Sequence, residues 1–140
     1  MKITVPANPQ PVKIEIARTA LIVVDMQNAF CSSEGMFDLK GSLDRPKVEK
    51  VIDVDKKVIQ ACRGRGIKII YLRMGYRPDL ADAGGPESPN YWKERGISLM
   101  REKPEMKEHG LIVGNWNWEV IDDLKPQSED ILVNKNRFSG

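Results

Sequence analysis

Histidine and cysteine are nearly missing from this chain. One histidine, His109, in 140 residues rules out a His–His metal motif and leaves a Ser-His-Asp triad without support. Two cysteines, Cys31 and Cys62, make neither a disulfide framework nor a metal quartet. Such sparse use suits a reducing cytoplasm, and no metal or other cofactor is expected. No apolar run is long enough to cross a bilayer, and Met1 to Pro11 lacks the apolar centre of a signal peptide. The charge excess is also absent. A net +2 is too small to argue for nucleic acid or a membrane surface as partner. No internal repeat or low-complexity tract is visible. Gly64-Arg65-Gly66 precedes a strand pattern, the wrong context for a phosphate-binding glycine loop. What remains is ordinary for a folded domain, 41% hydrophobic and 30% charged, and the length fits one domain spanning 1–140.

The richest stretch is Ala20-Leu21-Ile22-Val23-Val24 followed by Asp25. A short apolar run with β-branched residues reads as a strand buried on both faces, predicted over about 19–24. A carboxylate where such a strand runs out lies where open α/β sheets bind ligands. Met1 to Arg18 reads as a leading segment with a short alternating stretch at Ile14-Glu15-Ile16, and 31–41 as a loop. Asp44 and Pro46 start a helix whose apolar face is Val48, Val51, Ile52, Val58, Ile59 and Cys62, with Gly64 and Gly66 ending it. A second strand follows over 67–72. Next comes a long irregular segment, Gly75 to Asn90, of a length usually functional or disordered. A short helix is expected over about 91–100, and another, capped by Asn117, from there to about Leu124. Ile131 to Val133 make a third strand. The order β-α-β-α-β predicts an α/β fold with a parallel sheet and helical crossovers. Three strands are few for it. The third would be a half-covered apolar edge, so the chain reads as the N-terminal portion of such a domain, C-terminally incomplete.

Asp25 and Lys135 fall at equivalent places, at or just past the ends of strands one and three. In a parallel sheet both reach one edge. They could stabilise each other's charges or tune a nucleophile between them, and equally could be a structural ion pair. Cys31, six residues beyond Asp25, could be a nucleophile but reads better as a passive loop thiol; Cys62 reads as core. Arg73, Tyr76, Asp82, Ser88 and Asn90 are polar groups in or beside the long segment, able to bind a small polar ligand or simply be solvated. Trp116 and Trp118 flank Asn117 and could line a pocket or fill the core. His109 reads as an exposed turn residue.

Two motifs carry a resemblance. Ala20 to Asn28 resembles the opening motif of the isochorismatase-like cysteine hydrolases, and Glu129 to Gly140 resembles their second. Asp82-Ala83-Gly84-Gly85-Pro86-Glu87-Ser88-Pro89-Asn90 and Trp116 to Gln127 look like the ureidoacrylate amidohydrolase branch. The resemblance implies a Rossmann-like three-layer α/β/α fold, dimers or tetramers, and a catalytic Asp-Lys-Cys triad in which Asp25 and Lys135 match the first two members. The nucleophilic cysteine of the family lies in a later strand-to-helix segment that these 140 residues do not contain. Neither Cys31 nor Cys62 sits in a matching motif. Gln27, Arg73, Tyr76, Asp82, Ser88, Asn90 and Trp116 are the candidate substrate-binding residues. Met74 and Tyr76 stand where the branch carries Asn and Trp. A thioether cannot replace an amide donor, so biuret- or triuret-like compounds or another small amide stay open beside ureidoacrylate. The expected function is cleavage of a small molecule's C–N bond through a thioester-like intermediate. The rival is a non-catalytic α/β interaction module without a nucleophile. A homo-oligomer or a complementing C-terminal segment is the expected protein partner.

Overall fold

The computed structural model describes the backbone of residues 1–140 and every side chain but that of Arg95. Its centre is a parallel sheet in the order β3 (Ala20–Val24), β4 (Lys68–Met74), β5 (Ile131–Lys135). The register sets Ile22 beside Ile70 and Ile70 beside Ile131. One row later come Val24, Leu72 and Val133. The leading segment forms an antiparallel hairpin, β1 (Lys2–Val5) with β2 (Val12–Glu15), more order than its sequence pattern promised.

The crossover from β3 to β4 contains α3 (Arg45–Arg63). Asp44 caps it by accepting from the Lys47 N–H, with Pro46 in the first turn. The chain then reverses through Gly66, whose φ of +71° suits glycine. Ile52, Ile59 and Cys62 of α3 pack on Val23, Ile69 and Tyr71 of the sheet, with Val120, Ile121 and Leu124 closing that core. Two polar ties fix its end. Tyr71 donates its hydroxyl to the Leu124 carbonyl at 2.9 Å. Arg63 pairs with Asp130, whose side chain is 1% exposed. Val51 and Val58, expected on the apolar face, are exposed. A 3.6-residue period marks a stripe wider than the surface that α3 actually covers.

The opposite sheet face is bare. Ile22, Val24, Ile131 and Val133 are between 42% and 55% exposed. Side chains alternate along strands, so these four share one face with the half-buried Ile70 and Leu72. Among the described residues no helix packs there as α3 does on the other side.

The segment 75–90 is not a solvated loop. Tyr76, Leu80 and Ala83 are buried in a second core with Ile97, Met100, Leu111 and Ile112, which sits beyond the carboxyl ends of the strands. The expected helix near 91–100 is two helices, α4 (Pro89–Lys93) and α5 (Arg95–Glu102), broken at Glu94. The expected helix from Asn117 to Leu124 is not formed. Asn115, not Asn117, caps a single 3-10 turn at Trp116–Trp118, and a second turn covers Asp122–Leu124. Between them the backbone is claimed by the loop after β3. Asn28 N–H donates to the Glu119 carbonyl at 2.9 Å, and Ile121 N–H to the Met26 carbonyl at 3.1 Å. Groups paired outward cannot also make i→i−4 bonds.

Candidate active site

Asp25 leaves β3 with φ of +55°, a left-handed conformation costly for a residue with a Cβ. Its N–H still donates to the Leu72 carbonyl at 3.0 Å, so the strand ends there and the carboxylate turns out of the sheet. Two short helices follow, α1 (Asn28–Cys31) and α2 (Met36–Leu39). Lys135, the last residue of β5, lies beside Met74 in the register. Parallel pairing through β4 thus brings residues 110 apart in sequence into contact: Lys135 Nζ donates to Asp25 Oδ2 at 3.0 Å.

The rest of that ammonium is also engaged. Nζ donates to the carbonyls of Arg137 at 3.2 Å and Phe138 at 3.0 Å. The Lys135 side chain is only 6% exposed, against 30% for Asp25. Asp25 is therefore held through one oxygen. The other, Oδ1, is buried and has no hydrogen-bond partner among the described residues. A buried acceptor left without a donor is costly, roughly 1–3 kcal/mol, and such groups concentrate where chemistry is done.

Asp25 lines a cavity of about 210 Å³. Its walls are Phe30, Met36, Phe37, Met74, Tyr76, Ile97, Met100, Leu111 and Phe138, with Lys40 and Glu94 as the other charged groups. Small, mostly apolar and carrying a few polar groups, it has the make-up of a small-ligand site. Among the described residues no three His, Cys, Asp or Glu side chains converge as a metal would require.

The candidate substrate residues scatter around this cavity. Tyr76 lines it, and its hydroxyl lies 3.5 Å from Asn90 Nδ2. Asn90 stands behind Tyr76 and donates to the Ala83 carbonyl at 2.9 Å. Ser88 caps α4 by accepting from the Asn90 N–H. Asp82 accepts from Arg77 N–H at 3.0 Å and Asn136 Nδ2 at 3.3 Å. Gln27 is fully buried. Its Nε2 donates to the Met74 and Trp118 carbonyls at 2.8 and 2.7 Å, and its Oε1 accepts from Met74 N–H at 2.7 Å. Arg73 points to the other sheet face, stacked 3.8 Å above the Trp118 ring and bonded to Asn134 Oδ1. Trp116 is exposed at the surface, with its carbonyl accepting from Asn28 Nδ2. Gln27, Arg73, Asp82, Ser88, Asn90 and Trp116 do not line the Asp25 cavity.

Cys31 lies just beyond, in α1. Burial first, then the charge of Asp55, pushes its thiol up to about 11, so it is a neutral thiol near pH 7 and a poor nucleophile. Sequence reasoning missed Phe30, Met36, Phe37, Glu94 and Phe138 as cavity residues. The apolar pair Met36-Phe37 within the stretch read as a loop, and Ala29-Phe30 just before it, were the available signal. Glu94 gave none.

Residues 19–140 match the isochorismatase domain family. The chain belongs to the isochorismatase family. Within it, the chain is 43% identical over 138 residues to the ureidoacrylate amidohydrolase RutB of Caulobacter segnis, covering 99% of this chain and 57% of that protein. It is 41% identical to the enzyme of that name from Rhizobium rhizogenes, covering 99% and 56%. This isochorismatase-family chain thus spans a little over half the length of these curated relatives. A cysteine hydrolase from Pseudomonas syringae pv. phaseolicola superposes with a TM-score of 0.64 at 32% identity, over 90% of this chain and 50% of that one. An isochorismatase family protein from Desulfovibrio vulgaris superposes at 0.57 and 22% identity, over 86% and 54%, a likeness of fold.

Proposed function

We propose that this chain carries the acid–base half of a cysteine-dependent amidohydrolase acting on a C–N bond of a small ureido, carbamoyl or amide compound. The observation that carries this is the asymmetric carboxylate of Asp25, a residue lining a mostly apolar cavity: one oxygen is on Lys135, the other is buried and without a partner among the described residues. A group so held can take and return one proton without moving. The kinship with amidohydrolases supports the substrate class.

The nucleophile in this reading is a cysteine supplied by further residues of a longer chain. Its thiol proton passes to Asp25 Oδ1 and the thiolate adds to the carbonyl carbon. The C–N bond then breaks as Asp25 returns the proton to the leaving nitrogen. Water attacks the thioester-like intermediate as Asp25 takes its proton, and the C–S bond breaks as Asp25 returns that proton to the sulfur, restoring the thiol and the carboxylate. Lys135 keeps Oδ2 engaged, so that Oδ1 is the oxygen that works, and its charge favours a thiolate nearby. Tyr76 forms part of the substrate wall. Gln27, Asp82, Ser88 and Asn90 act from behind by fixing the loops that form the cavity. A reducing cytoplasm suits a working thiol, and no helix of the described residues is long and apolar enough to cross a membrane. The same additional residues are proposed to cover the bare sheet face.

The test is ammonia release from biuret and from 3-ureidoacrylate by the full-length protein, wild type against Asp25→Asn. The expected result is turnover of at least one compound and a loss of about 10³-fold or more in the variant, within the usual range of roughly 10²–10⁴-fold for general acid–base catalysis. Unchanged turnover in the variant would remove Asp25 from the mechanism.

A further inference from the structure

The Asp25 cavity holds a second carboxylate whose position serves no fold contact. Glu94 sits at the break between α4 and α5. Its backbone is fully used: the N–H donates to the Asn90 carbonyl at 3.1 Å, and its own carbonyl accepts from Ile97 N–H at 3.0 Å. It stands at the N-cap position of α5, yet its side chain makes no capping bond. Oε1 is buried and unpartnered. No salt bridge to Glu94 forms among the described residues. Burial raises its carboxyl's affinity for a proton, the sign of a group that lacks a donor.

The cavity is therefore lined by two carboxylates, Asp25 and Glu94, each with one buried oxygen that has no hydrogen-bond partner among the described residues. We infer that Glu94 is a specificity-determining residue that accepts an N–H of the substrate at the end remote from the scissile bond. The compound then carries a second nitrogen donor, an amide, ureido or amino group, joined to the scissile carbamoyl or amide by a short linker. A carboxylate at that end would meet Glu94 as a like charge and would bind only at the cost of that repulsion or of taking up a proton. This rests on the reading of the Asp25 cavity as the substrate site. It separates the present chain from a preference for ureidoacrylate, whose remote group is a carboxylate.

The test uses the full-length protein and two probes of one shape. 3-Ureidopropanamide and 3-ureidopropionate differ only in a remote NH2 or O−. Expected are kcat/KM values for the wild type, and Kd values by calorimetry for the Asp25→Asn protein, that both favour the amide by about tenfold or more. A site built around a hydrogen bond rejects the analogue lacking it. Glu94→Gln, whose own NH2 can donate to a carboxylate, brings the ratio within about threefold. Equal binding, preference for the carboxylate, binding of neither probe, or a ratio untouched by Glu94→Gln overturns the inference. Selective binding of the amide without hydrolysis overturns the hydrolase reading and upholds Glu94.

Discussion

Replacing Gln27 by Leu asks whether a residue beside the site works by contact with substrate or by holding the backbone. The side chain is fully buried and makes three hydrogen bonds, to Met74 N–H, Met74 C=O and Trp118 C=O. Leucine keeps most of the volume and removes all three. The two Met74 groups lie in buried surroundings, and each stranded group costs about 1–3 kcal/mol. The Trp118 carbonyl is partly reachable by water and adds about 0.5–1.5 kcal/mol. The sum centres on about 5 kcal/mol, a large share of the roughly 5–15 kcal/mol that keeps a domain folded. Urea unfolding of purified wild type and Gln27→Leu, followed by tryptophan fluorescence, should show a lower midpoint at unchanged slope. A residue used only for substrate binding would leave the midpoint alone and raise KM. A loss below about 1 kcal/mol would refute the reasoning.

Removing Arg63 should be nearly as costly. Arg63→Met leaves Asp130, which is 1% exposed at its side chain, with the Gln127 N–H as its remaining donor, and because breaking one side of a buried pair costs about 3–5 kcal/mol, a loss near the lower end should be visible as a lower melting temperature. Tyr71→Phe loses the bond to the Leu124 carbonyl and should cost about 1 kcal/mol by the same assay. Gly75→Ala would drive a Cβ to 2.4 Å from Trp118 Cδ1, a ring pinned under Arg73; destabilisation of about 1–3 kcal/mol is expected. Gly110→Ala meets only the flexible Met100 side chain and should lower the melting temperature less. Cys31 should resist iodoacetamide at pH 7.5, because its thiol titrates near 11. Since the folded pKa is the higher one, Cys31 favours folding below about pH 9 and its contribution fades as pH rises towards 11. Rapid labelling of folded protein at neutral pH would contradict that.

The sheet was readable because its strands carry compact apolar runs. Ala20 to Val24 is uninterrupted, Ile69 to Leu72 forms a second run between Lys68 and Arg73, and Asp44 and Gly66 mark the ends of the crossover helix. Asp25 and Lys135 followed from strand ends alone, since parallel strands finish at one edge. What failed was set by partners distant in sequence. Glu119 to Ile121 was expected within a helix capped by Asn117, yet Met26 and Asn28 hold it extended. Gly75 to Asn90 looked solvated because its glycines and prolines dominate, while three buried side chains make it a core. Gln27 and Asn90 are polar, and a linear pattern cannot tell a side chain turned onto backbone from one turned onto ligand.

The pairing of Asp25 with Lys135 joins the two ends of the sheet across 110 residues of chain. Neither residue can find the other until β5 docks beside β4, and closing so long a loop is slow compared with local structure. The pair therefore forms only when β5 joins the sheet. It is also the first exposed to loss, because β5 is an edge among the described strands with most of its side chains open to solvent, the kind of element that opens locally before the whole. In a mild denaturant the proton-handling oxygen would lose its alignment while α3 and its core still gave a native signal. Docking of β5 thus acts as the timer for when the Asp25–Lys135 pair exists.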